Sequence, residues 1–547
     1  MNPLHHLLLG VYGGLWRAAE PFLRRNKRLA EGFADRLLPE GWPHETQGSA
    51  SFCRDTSSGL LCATGQDQRA DSPHPVARPS GVACGNVQFR YPAELSAPSP
   101  KAAPSSSDDK MKRYPLRLWI QAASGGEAWL AHSLVPALVR ELEVRAGQQS
   151  TDGPLPRLHV LCTTFTRQGL DVLEKLAARS AADTPALRLL SRYFPLDRPD
   201  LMRRAFALFP PHAVILLETE LWPGLLSAAR EAHVPVLALN GRMTEKSLSA
   251  YRLVASFWRA LAPRTVLAMS PEDVRRFSAL FGAASQVGAM SNIKFDRVAE
   301  GLDQARRDAL RRTTSCLRSV VGCPERALLA VLASVREEEE DLLLPTLKAL
   351  QGLEVDGAPL MLAVAPRHMH RVAAWREKLG ASGIPFSLRS AGARLTQEDA
   401  AAGPLPLCLW DSFGELQALY AIADAVFVGG SLAPLGGQNF LEPLAQGIVP
   451  LVGPHVENFL WVGEDIFSSG LAVKLHGPEA LADALLSALG ERKSLLPEAG
   501  APEEQWQAAR SDAGGAVRER FAAWLEPRIG GSTQAARAVL DAVGCRR

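Results

Sequence analysis

One stretch of the chain presents a carboxylate where a predicted strand gives way to a predicted helix. In "WIQAASGGEAW", residues 119–129, an apolar run breaks at Ser124 and two glycines and is followed by Glu127. The run is typical of a strand, and the leucines that follow at four-residue steps predict an amphipathic helix. A carboxylate on such a turn suits proton transfer. The simpler alternative is a first-turn carboxylate that favours the helix dipole.

A second stretch, "FVGGSLAPLGGQNFLEP" at residues 427–443, suits phosphate and sugar binding. Its four glycines let the backbone approach a ligand closely, and a helix predicted to begin near Asn439 offers free N–H groups to a phosphate. Glu442, one turn inside that helix, can accept hydrogen bonds from a ribose diol. Either glycine pair alone is also explained by ordinary turns. The two pairs together with the Asn-x-x-Glu step favour a ligand site.

Several common cofactor motifs are absent from the sequence. No G-x-G-x-x-G follows the first predicted strand, and neither a P-loop pattern nor H-E-x-x-H occurs. The sequence therefore lacks the residues that a dinucleotide site, a P-loop phosphate site or the zinc site of a protease needs. No D-x-D motif offers a metal site. We predict no metal and no cofactor.

Short apolar runs alternate with helical patterns from residue 114 onward, and this rhythm restarts after an Arg-rich stretch at 292–326. That alternation predicts an α/β fold with two Rossmann-like domains built on parallel sheets. Ligands bind such sheets outside the carboxyl ends of the strands. The polar clusters that follow predicted strands are Ser124 to Glu127, Thr163 and Thr164, Glu218 and Glu220, Asn240 and Arg242, Ser270, Asn292 and Lys294, Arg367 and His368, and Gly429 to Ser431.

Composition divides the 547 residues into five segments. Residues 1–43 form a predicted membrane-associated helical segment. Residues 44–113 are rich in Ser, Pro, Ala and Gly and predict a disordered insertion, because they bury too little apolar surface to offset their ordering entropy. The two domains are then predicted at 114–296 and 327–547, the second with C-terminal helices. Residues 297–326 are the predicted linker.

The N-terminal segment contains no apolar run of the ~20 residues that a spanning helix needs, and it lacks a signal-peptide pattern. We expect a helix lying in a membrane interface, with Leu7, Leu8, Leu15 and Trp16 buried in it and the following "RRNKR" at anionic headgroups. The alternative is a helix packed on its own domain.

Charge and cysteine content exclude two further classes of protein. The 60 basic and 58 acidic residues give a net charge of +2, so no nucleic-acid partner is predicted. The eight cysteines include no C-x-x-C pair, which indicates neither a disulfide framework nor a zinc site. A reducing compartment fits this pattern.

These residues resemble a known family, the 3-deoxy-D-manno-octulosonic acid (Kdo) transferases. The resemblance covers roughly residues 114–470, with "RNKRLAEGFADRL" similar to the family's membrane-proximal segment. The matching segments are "SGGE", "LETELWP" (217–223), "LNGRMTEKS" (239–247), "SNIKFD" (291–296), "APRH" (365–368), "GELQALYAIADAVFVGGS" (414–431), "GGQNFLEP" (436–443) and "GPHVENF" (453–459).

The resemblance implies the GT-B glycosyltransferase fold, with two Rossmann-like domains facing a cleft. It implies an inverting transfer of Kdo from CMP-Kdo to a lipid A precursor in lipopolysaccharide biosynthesis, at the cytoplasmic face of the inner membrane. Glu127 is implied as the catalytic base. The implied donor-binding residues are Pro366, Arg367, His368, Gly429, Gly430, Ser431, Asn439 and Glu442. The implied acceptor or transition-state residues are Ser124, Glu218, Asn240, Arg242 and Lys294.

Some of the matched positions have simpler roles open to them. We expect Glu220 to cap a helix and Glu218 to serve the site, and Thr163 and Thr164 to cap strand ends. His368 is either a ligand to the nucleotide or an ordinary surface histidine.

The sequence departs from the family pattern at two places. Gln438 replaces a histidine, and "SVREEEE" at 334–340 replaces a Ser-Thr-His segment. We expect this acidic run to be the solvated start of a helix.

Two alternative functions remain open on this evidence. A GT-B enzyme with a different activated sugar or acceptor has the same fold. A non-catalytic, membrane-associated nucleotide-binding protein is the other alternative.

Overall fold

The computed structural model describes residues 2–26, 31–38, 42, 115–148, 157–218, 220–300, 318, 322–391, 404–498 and 500–544. The predicted insertion at 44–113 lies outside the described residues, as does most of the predicted linker at 297–326.

The first domain is built on a seven-stranded sheet in which every neighbouring pair of strands is parallel. Its strands are β1 (Leu116–Gln121), β2 (Leu158–Thr164), β3 (Leu187–Tyr193), β4 (Ala213–Leu217), β5 (Val236–Gly241), β6 (Thr265–Ala268) and β7 (Gln286–Ala289). Their spatial order is β3-β2-β1-β4-β5-β6-β7. The central strands are buried along nearly their whole length, because helices cover both faces.

The helices that precede and surround this sheet are α1 (Pro3–Leu23), α2 (Gly125–Gln148), α3 (Arg167–Asp183), α4 (Pro199–Leu208), α5 (Pro223–Glu231), α6 (Glu245–Arg252), α7 (Ala255–Ala260), α8 (Pro271–Phe281) and α9 (Ile293–Glu300). Two apolar clusters, one on each face of the sheet, form the core of the domain. Ser and Thr residues cap several of these helices; Thr166, for example, accepts a hydrogen bond from the backbone of Gly169 at the start of α3.

The second domain repeats this architecture. Its strands are β8 (Leu328–Val335), β9 (Glu354–Val355), β10 (Ala358–Pro366), β11 (Phe386–Leu388), β12 (Leu407–Leu409), β13 (Ala425–Val428), β14 (Pro450–Val452) and β15 (Val473–Lys474). The spatial order is β11-β12-β10-β8-β13-β14-β15, all parallel, with β9 antiparallel to β10. Its helices are α10 (Glu340–Leu350), α11 (Val372–Ala381), α12 (Leu416–Ile422), α13 (Leu441–Ala445), α14 (Asp465–Ser468), α15 (Leu481–Ser494), α16 (Glu503–Leu525) and α17 (Gly531–Ala542).

The strand order places a topological switch point beside the first strand of each sheet. It lies between β1 and β4 in the first domain and between β8 and β13 in the second. Ligands of open parallel sheets bind at such points, outside the carboxyl ends of the strands. The predicted fold class is confirmed: this is an α/β protein with two Rossmann-like domains, the GT-B architecture.

The last helix does not stay with the domain that precedes it. Ala535, Ala536, Val539 and Leu540 of α17 are fully buried in the core of the first domain. Arg145 on α2 also pairs with Asp541, at 2.8 Å between nitrogen and oxygen. The prediction that all C-terminal helices belong to the second domain is therefore wrong for α17, because its apolar face completes the first core.

Helix α1 packs on the first domain with one face and leaves an apolar stripe on the other. His5, Leu9 and Gly13 are buried, and Leu8 and Trp16 pack partly buried against the core. Part of the Leu8 and Trp16 side chains thus packs on the protein, and the expectation that they enter a membrane stays a prediction. The exposed stripe, called here the α1 stripe, consists of Leu4, Leu7, Val11, Leu15 and Phe22. Among the described residues, no helix combines the length and apolar character needed to cross a bilayer.

A buried carboxyl group fastens α1 to the domain. Asp197 accepts hydrogen bonds from the Tyr12 hydroxyl at 2.9 Å and from the backbone N–H groups of Gly224 and Leu225 at 2.8 and 2.7 Å. It therefore joins α1 to the first turn of α5. Burial raises the pKa of Asp197 to about 7, and the three hydrogen bonds oppose that rise.

Replacing Tyr12 with Phe removes one donor from this buried carboxyl group. We expect the free energy of unfolding to fall by about 1–3 kcal/mol, since a buried acceptor loses a partner. Urea denaturation measures the change. Tyr251→Phe is the control, because no hydrogen bond joins the Tyr251 hydroxyl to another described residue and its loss should change stability little. Equal stability of the two variants would contradict the role of Tyr12.

Candidate active site between the two domains

Glu127 lies in the first turn of α2, directly after β1. Its carboxylate accepts hydrogen bonds from the backbone N–H of Ala123 and from the Ser124 hydroxyl, the latter at 3.1 Å. Burial raises the pKa of Glu127, and repulsion from Glu218 raises it further. The structure thus orients this carboxylate rigidly and brings its pKa closer to neutral pH.

Two further carboxyl groups, from the end of β4, lie near Glu127. Glu218 forms an ion pair with Lys294 at 2.8 Å and adopts a left-handed φ of 58°, which is strained for a residue with a side chain. Glu220 accepts a hydrogen bond from the Trp222 indole at 2.6 Å. Burial, followed by repulsion from Glu127, raises the pKa of Glu220 to about 8. Glu220 is therefore neutral at pH 7.

The expectation that Glu220 caps a helix is wrong. Helix α5 begins at Pro223, and the residue before it, Trp222, forms no side-chain cap. The first N–H groups of α5 are bound by Asp197 instead. Sequence spacing missed this partner because Asp197 follows β3, on another part of the chain.

Asn240 supports the site without facing the cleft. Its side chain is fully buried, and its amide oxygen accepts a hydrogen bond from the backbone N–H of Ile293 at 2.9 Å. It thereby fixes the start of α9, which carries Lys294. A direct contact between Asn240 and the acceptor, as predicted, does not fit this burial.

The remaining polar residues at these strand ends differ in exposure. Arg242 is exposed, and no ion pair joins it to another described residue. The Thr164 hydroxyl donates to the backbone oxygen of Ala123 at 3.3 Å, as expected of a strand-end cap. The Thr163 hydroxyl instead accepts a hydrogen bond from the Trp119 indole at 2.8 Å and donates one to the Gln121 side-chain oxygen at 2.6 Å.

On the facing domain, Asn439 and Glu442 form a pair. The Asn439 amide donates to Glu442 at 2.8 Å. Burial raises the pKa of Glu442, while its hydrogen bond with Asn439 and attraction to Arg297 and Arg367 oppose that rise. Helix α13 begins at Leu441, two residues later than expected, and spans only five residues. The pair therefore lies at the N-terminal end of a very short helix.

The glycine-rich loop after β13 already holds an anion. The carboxylate of Glu339 accepts hydrogen bonds from the backbone N–H groups of Gly430, Ser431 and Leu432, at 2.5, 2.9 and 2.8 Å. The Ser431 hydroxyl donates to the backbone oxygen of Val428 at 2.6 Å. The N–H groups of Gly430 and Ser431 are therefore bound within the protein, and the implied donor-binding role of Gly429, Gly430 and Ser431 stays a prediction. The backbone N–H groups form an anion-binding nest that a side chain of the same chain fills.

The acidic run at 334–340 is consequently not a solvated helix start. Glu339 and Glu340 are fully buried. Glu340 pairs with Arg371 at 2.7 Å and Lys378 at 3.3 Å. Glu337 and Glu338 are exposed. The prediction of a solvated run therefore holds for these two glutamates and not for Glu339 and Glu340.

The "APRH" segment ends β10 at the edge of the cleft. Pro366 is buried, whereas Arg367 and His368 are exposed. The Arg367 backbone N–H donates to Val335 at 2.8 Å. Partial desolvation, followed by the charges of Arg336 and Arg367, lowers the pKa of His368.

A cavity of about 880 Å³ lies between the two domains. From the first domain it is lined by residues next to Glu127 and by α9, and from the second domain by Asn439, Glu442 and an aromatic wall. The lining residues that sequence analysis did not single out include Trp129, Arg297 and Trp461. Arg297 follows Lys294 by one helical turn, and that spacing was the available signal. No group of three or more His, Cys, Asp or Glu side chains within the described ranges is placed to share a metal ion.

Comparisons with known proteins match most of the chain. A family profile described as 3-deoxy-D-manno-octulosonic-acid transferase (kdotransferase) matches residues 90–297, which include Glu127, Glu218 and Lys294. The chain is 30% identical over 438 residues to a 3-deoxy-D-manno-octulosonic acid transferase from Bordetella pertussis, covering 79% of this chain and 90% of that relative. It is 28% identical over 347 residues to the transferase of the same name from Haemophilus influenzae, covering 63% and 72%.

Among solved structures, the chain is similar to the C-terminal CMP-Kdo binding domain of WaaA from Acinetobacter baumannii. The identity is 25%, the match covers 38% of this chain and 97% of that domain, and the TM-score is 0.29.

The raised pKa of Glu220 makes stability depend on pH in a defined direction. A carboxyl group whose pKa rises from 4.5 to about 8 on folding binds its proton more tightly in the folded state. Its contribution is therefore present below pH 4.5 and is lost as the pH rises to about 8. We expect Glu220→Gln to remove this loss, so that the melting temperature falls less between pH 5 and pH 8.5, by calorimetry. Glu491→Gln, at an exposed position, should behave as the wild type; identical profiles for both variants would refute the assignment.

The contacts of Glu339 with the nest predict that replacing Glu339 lowers stability strongly, whereas replacing the neighbouring Glu338 lowers it little. Glu339→Ala leaves four backbone N–H groups without their acceptor, those of Gly430, Ser431 and Leu432 in the nest and that of Arg336. We therefore expect a loss of at least about 4 kcal/mol in unfolding free energy, from about 1–3 kcal/mol per unsatisfied group. Glu338→Ala removes only an exposed ion pair with Arg336 and should cost at most about 1 kcal/mol. Urea denaturation of both variants provides the comparison, and equal losses would argue against the nest.

Proposed function

Since this chain belongs to the family of 3-deoxy-D-manno-octulosonic acid transferases, we propose that it transfers Kdo from CMP-Kdo to a lipid A precursor, with inversion at the sugar carbon and Glu127 as the general base. Kdo transfer in lipopolysaccharide biosynthesis is the activity of the family. The observation that carries the finer assignment is the hydrogen-bonded, largely desolvated carboxylate of Glu127 at the switch point of the first sheet, next to Gly126, which lines the cavity between the domains.

The proposed step balances without a cofactor. The acceptor O–H bond breaks and its proton passes to Glu127, while the acceptor oxygen bonds to C2 of Kdo. The bond between C2 and the phosphate oxygen of CMP breaks, and its electron pair leaves with CMP. Glu127 has four lone-pair positions and uses two for Ala123 and Ser124, so it keeps acceptor capacity for the hydroxyl. Its raised pKa improves it as a base near neutral pH.

Lys294 supports the transition state in this scheme. Glu218 holds its ammonium group at 2.8 Å, and the ring of Trp461 from the opposite domain lies 5.7 Å away. A cation fixed in this way stabilises negative charge that develops on the departing phosphate or lies on the Kdo carboxylate. Ser124 contributes by orienting Glu127.

On the donor side, Asn439 and Glu442 are proposed to bind the ribose and Arg367 the phosphate of CMP-Kdo. Glu442 accepts hydrogen bonds from a diol, and the exposed Arg367 guanidinium is available for an anion. Pro366, His368 and Gly429 shape this edge of the cleft. Gly430 and Ser431 act through backbone shape, because their N–H groups are bound to Glu339.

The acceptor is a lipid, and we propose that the α1 stripe places the protein on the cytoplasmic face of the inner membrane. Its five apolar side chains are between 53% and 74% exposed. Leu253, on the same domain, is also 86% exposed. Arg17 and Arg24 on the same helix are exposed and suit anionic headgroups.

Transfer of Kdo from CMP-Kdo to tetraacylated lipid A precursor, followed by mass spectrometry, tests the proposed activity. We expect Kdo addition by the wild type and a loss of about 100- to 10,000-fold in Glu127→Gln, the range for removal of a general base. CMP binding, by calorimetry, should persist in that variant. Glu143→Gln, an exposed glutamate on the same helix, is the matched control.

Two results would contradict the proposal. If the wild type binds CMP but adds no Kdo, either a different sugar or acceptor is used or the protein is non-catalytic; transfer from other nucleotide sugars then separates those cases. If Glu127→Gln keeps the wild-type rate, another group is the base.

The membrane assignment is tested by partition onto vesicles that contain anionic lipid. Leu7→Ser with Leu15→Ser should weaken partition at least about tenfold, since each leucine buried in the interface contributes about 1.5–3 kcal/mol. The control replaces Leu353 and Leu495 with Ser; these leucines are also exposed but lie on the second domain. Unchanged partition of the α1 variant would exclude the stripe as the membrane contact.

A further inference from the structure

Arg297 is held in the cleft by an aromatic platform. It lies on α9, three residues after Lys294, so both side chains project from the same side of the helix. Its guanidinium carbon is 3.8 Å from the centroid of the Trp129 ring. Trp129 is the fifth residue of α2 and follows Glu127 by two residues. Arg297 is therefore positioned by the same turn that presents the proposed base.

The charge of Arg297 is not neutralised in the way that the charge of Lys294 is. Lys294 has Glu218 at 2.8 Å, whereas no carboxylate of the described residues lies within 4 Å of the Arg297 guanidinium. Glu442 and Glu300 attract it from a greater distance, and partial burial lowers its pKa. The described residues accept no hydrogen bond from it either. A guanidinium group carries five N–H donors in a fixed plane, and here those donors are left for a ligand.

The surroundings of Arg297 indicate which ligand group it meets. It lines the cavity between the domains, together with Lys294 and Trp461, and faces the wall formed by Asn439 and Glu442. An aromatic ring lies beside each cation, Trp461 beside Lys294 and Trp129 beside Arg297, and the ring face attracts and orients the cation that it contacts. The proposed ribose site is on that facing wall, so an acidic group attached to the nucleotide enters the space in front of Arg297.

We propose that Arg297, stacked on Trp129, is a specificity-determining residue that binds an anionic group of the nucleotide-sugar donor from the first domain. This inference rests on the proposed function. The stack fixes the plane of the guanidinium before the donor arrives, which reduces the ordering cost of two parallel hydrogen bonds to a carboxylate or phosphate. The contact also spans the cleft, because the donor is held on the second domain and Arg297 on the first.

Steady-state kinetics with CMP-Kdo and lipid A precursor tests the inference. In Arg297→Gln we expect the donor KM to rise about 10- to 100-fold, the effect of losing a charged hydrogen-bonded partner, with the acceptor KM unchanged. Arg297→Lys keeps the charge but loses the planar fork, so its donor KM should rise by less. Trp129→Leu removes the platform and should raise the donor KM about 3- to 10-fold. Arg275→Gln, at a 74% exposed arginine on α8, is the control.

Titration with CMP alone separates the two donor anions and also separates this inference from the proposed function. If Arg297→Gln weakens CMP binding, the contact is to the phosphate; if CMP binding is unchanged while the CMP-Kdo KM rises, the contact is to the sugar carboxylate. Both outcomes support the inference. An unchanged donor KM, or a rise confined to the acceptor KM, would overturn it. Absence of Kdo transfer by the wild type would instead contradict the proposed function.

Discussion

The cleft depends on one helix that is anchored in both domains. Ile293, at the start of α9, is buried in the core of the first domain, whereas Phe295 is buried in the core of the second. Asp296 accepts hydrogen bonds from the backbone at the start of α17, at 2.6 Å each. Lys294 lies between these two anchors and Arg297 follows them, and both cationic residues line the cavity between the domains. Because alternate residues are fixed in opposite cores, the two cationic side chains have little freedom to leave the space between the domains.

Burial, more than ion pairing, sets the pKa values of the carboxyl groups in this cleft. Burial raises the pKa of Glu127, Glu220 and Glu442, so that negative charge on them is costly. Lys294 and Arg297 reduce that cost only in part, because one is paired and the other is stacked on an indole ring. The buried carboxyl groups and the incompletely paired cations therefore leave a charge imbalance in the cleft. The proposed binding of an anionic donor and the proposed proton transfer to Glu127 would each reduce that imbalance.

The glycine-rich loop after β13 shows that a loop whose sequence suggests phosphate binding can bind a different anion. Successive backbone N–H groups bind any compact anion of suitable geometry. Here the anion is Glu339, 91 residues earlier than Gly430. A side chain added at Gly429 would come within 2.8 Å of that carboxylate, which explains why glycine is needed there. The loop thus uses the chemistry of anion binding to hold the second sheet and the start of α10 together.

The sequence by itself determined the two parallel sheets, the turn that carries Glu127 and the polar residues at the strand ends. It did so because hydrophobic periodicity and glycine spacing are local properties of the chain. Only the tertiary structure decided that Asp197 caps α5, that Glu339 fills the nest, that α17 completes the first core and that Arg297 stacks on Trp129. Each of these contacts joins residues far apart in the chain, and no local pattern records which distant partner satisfies a buried polar group.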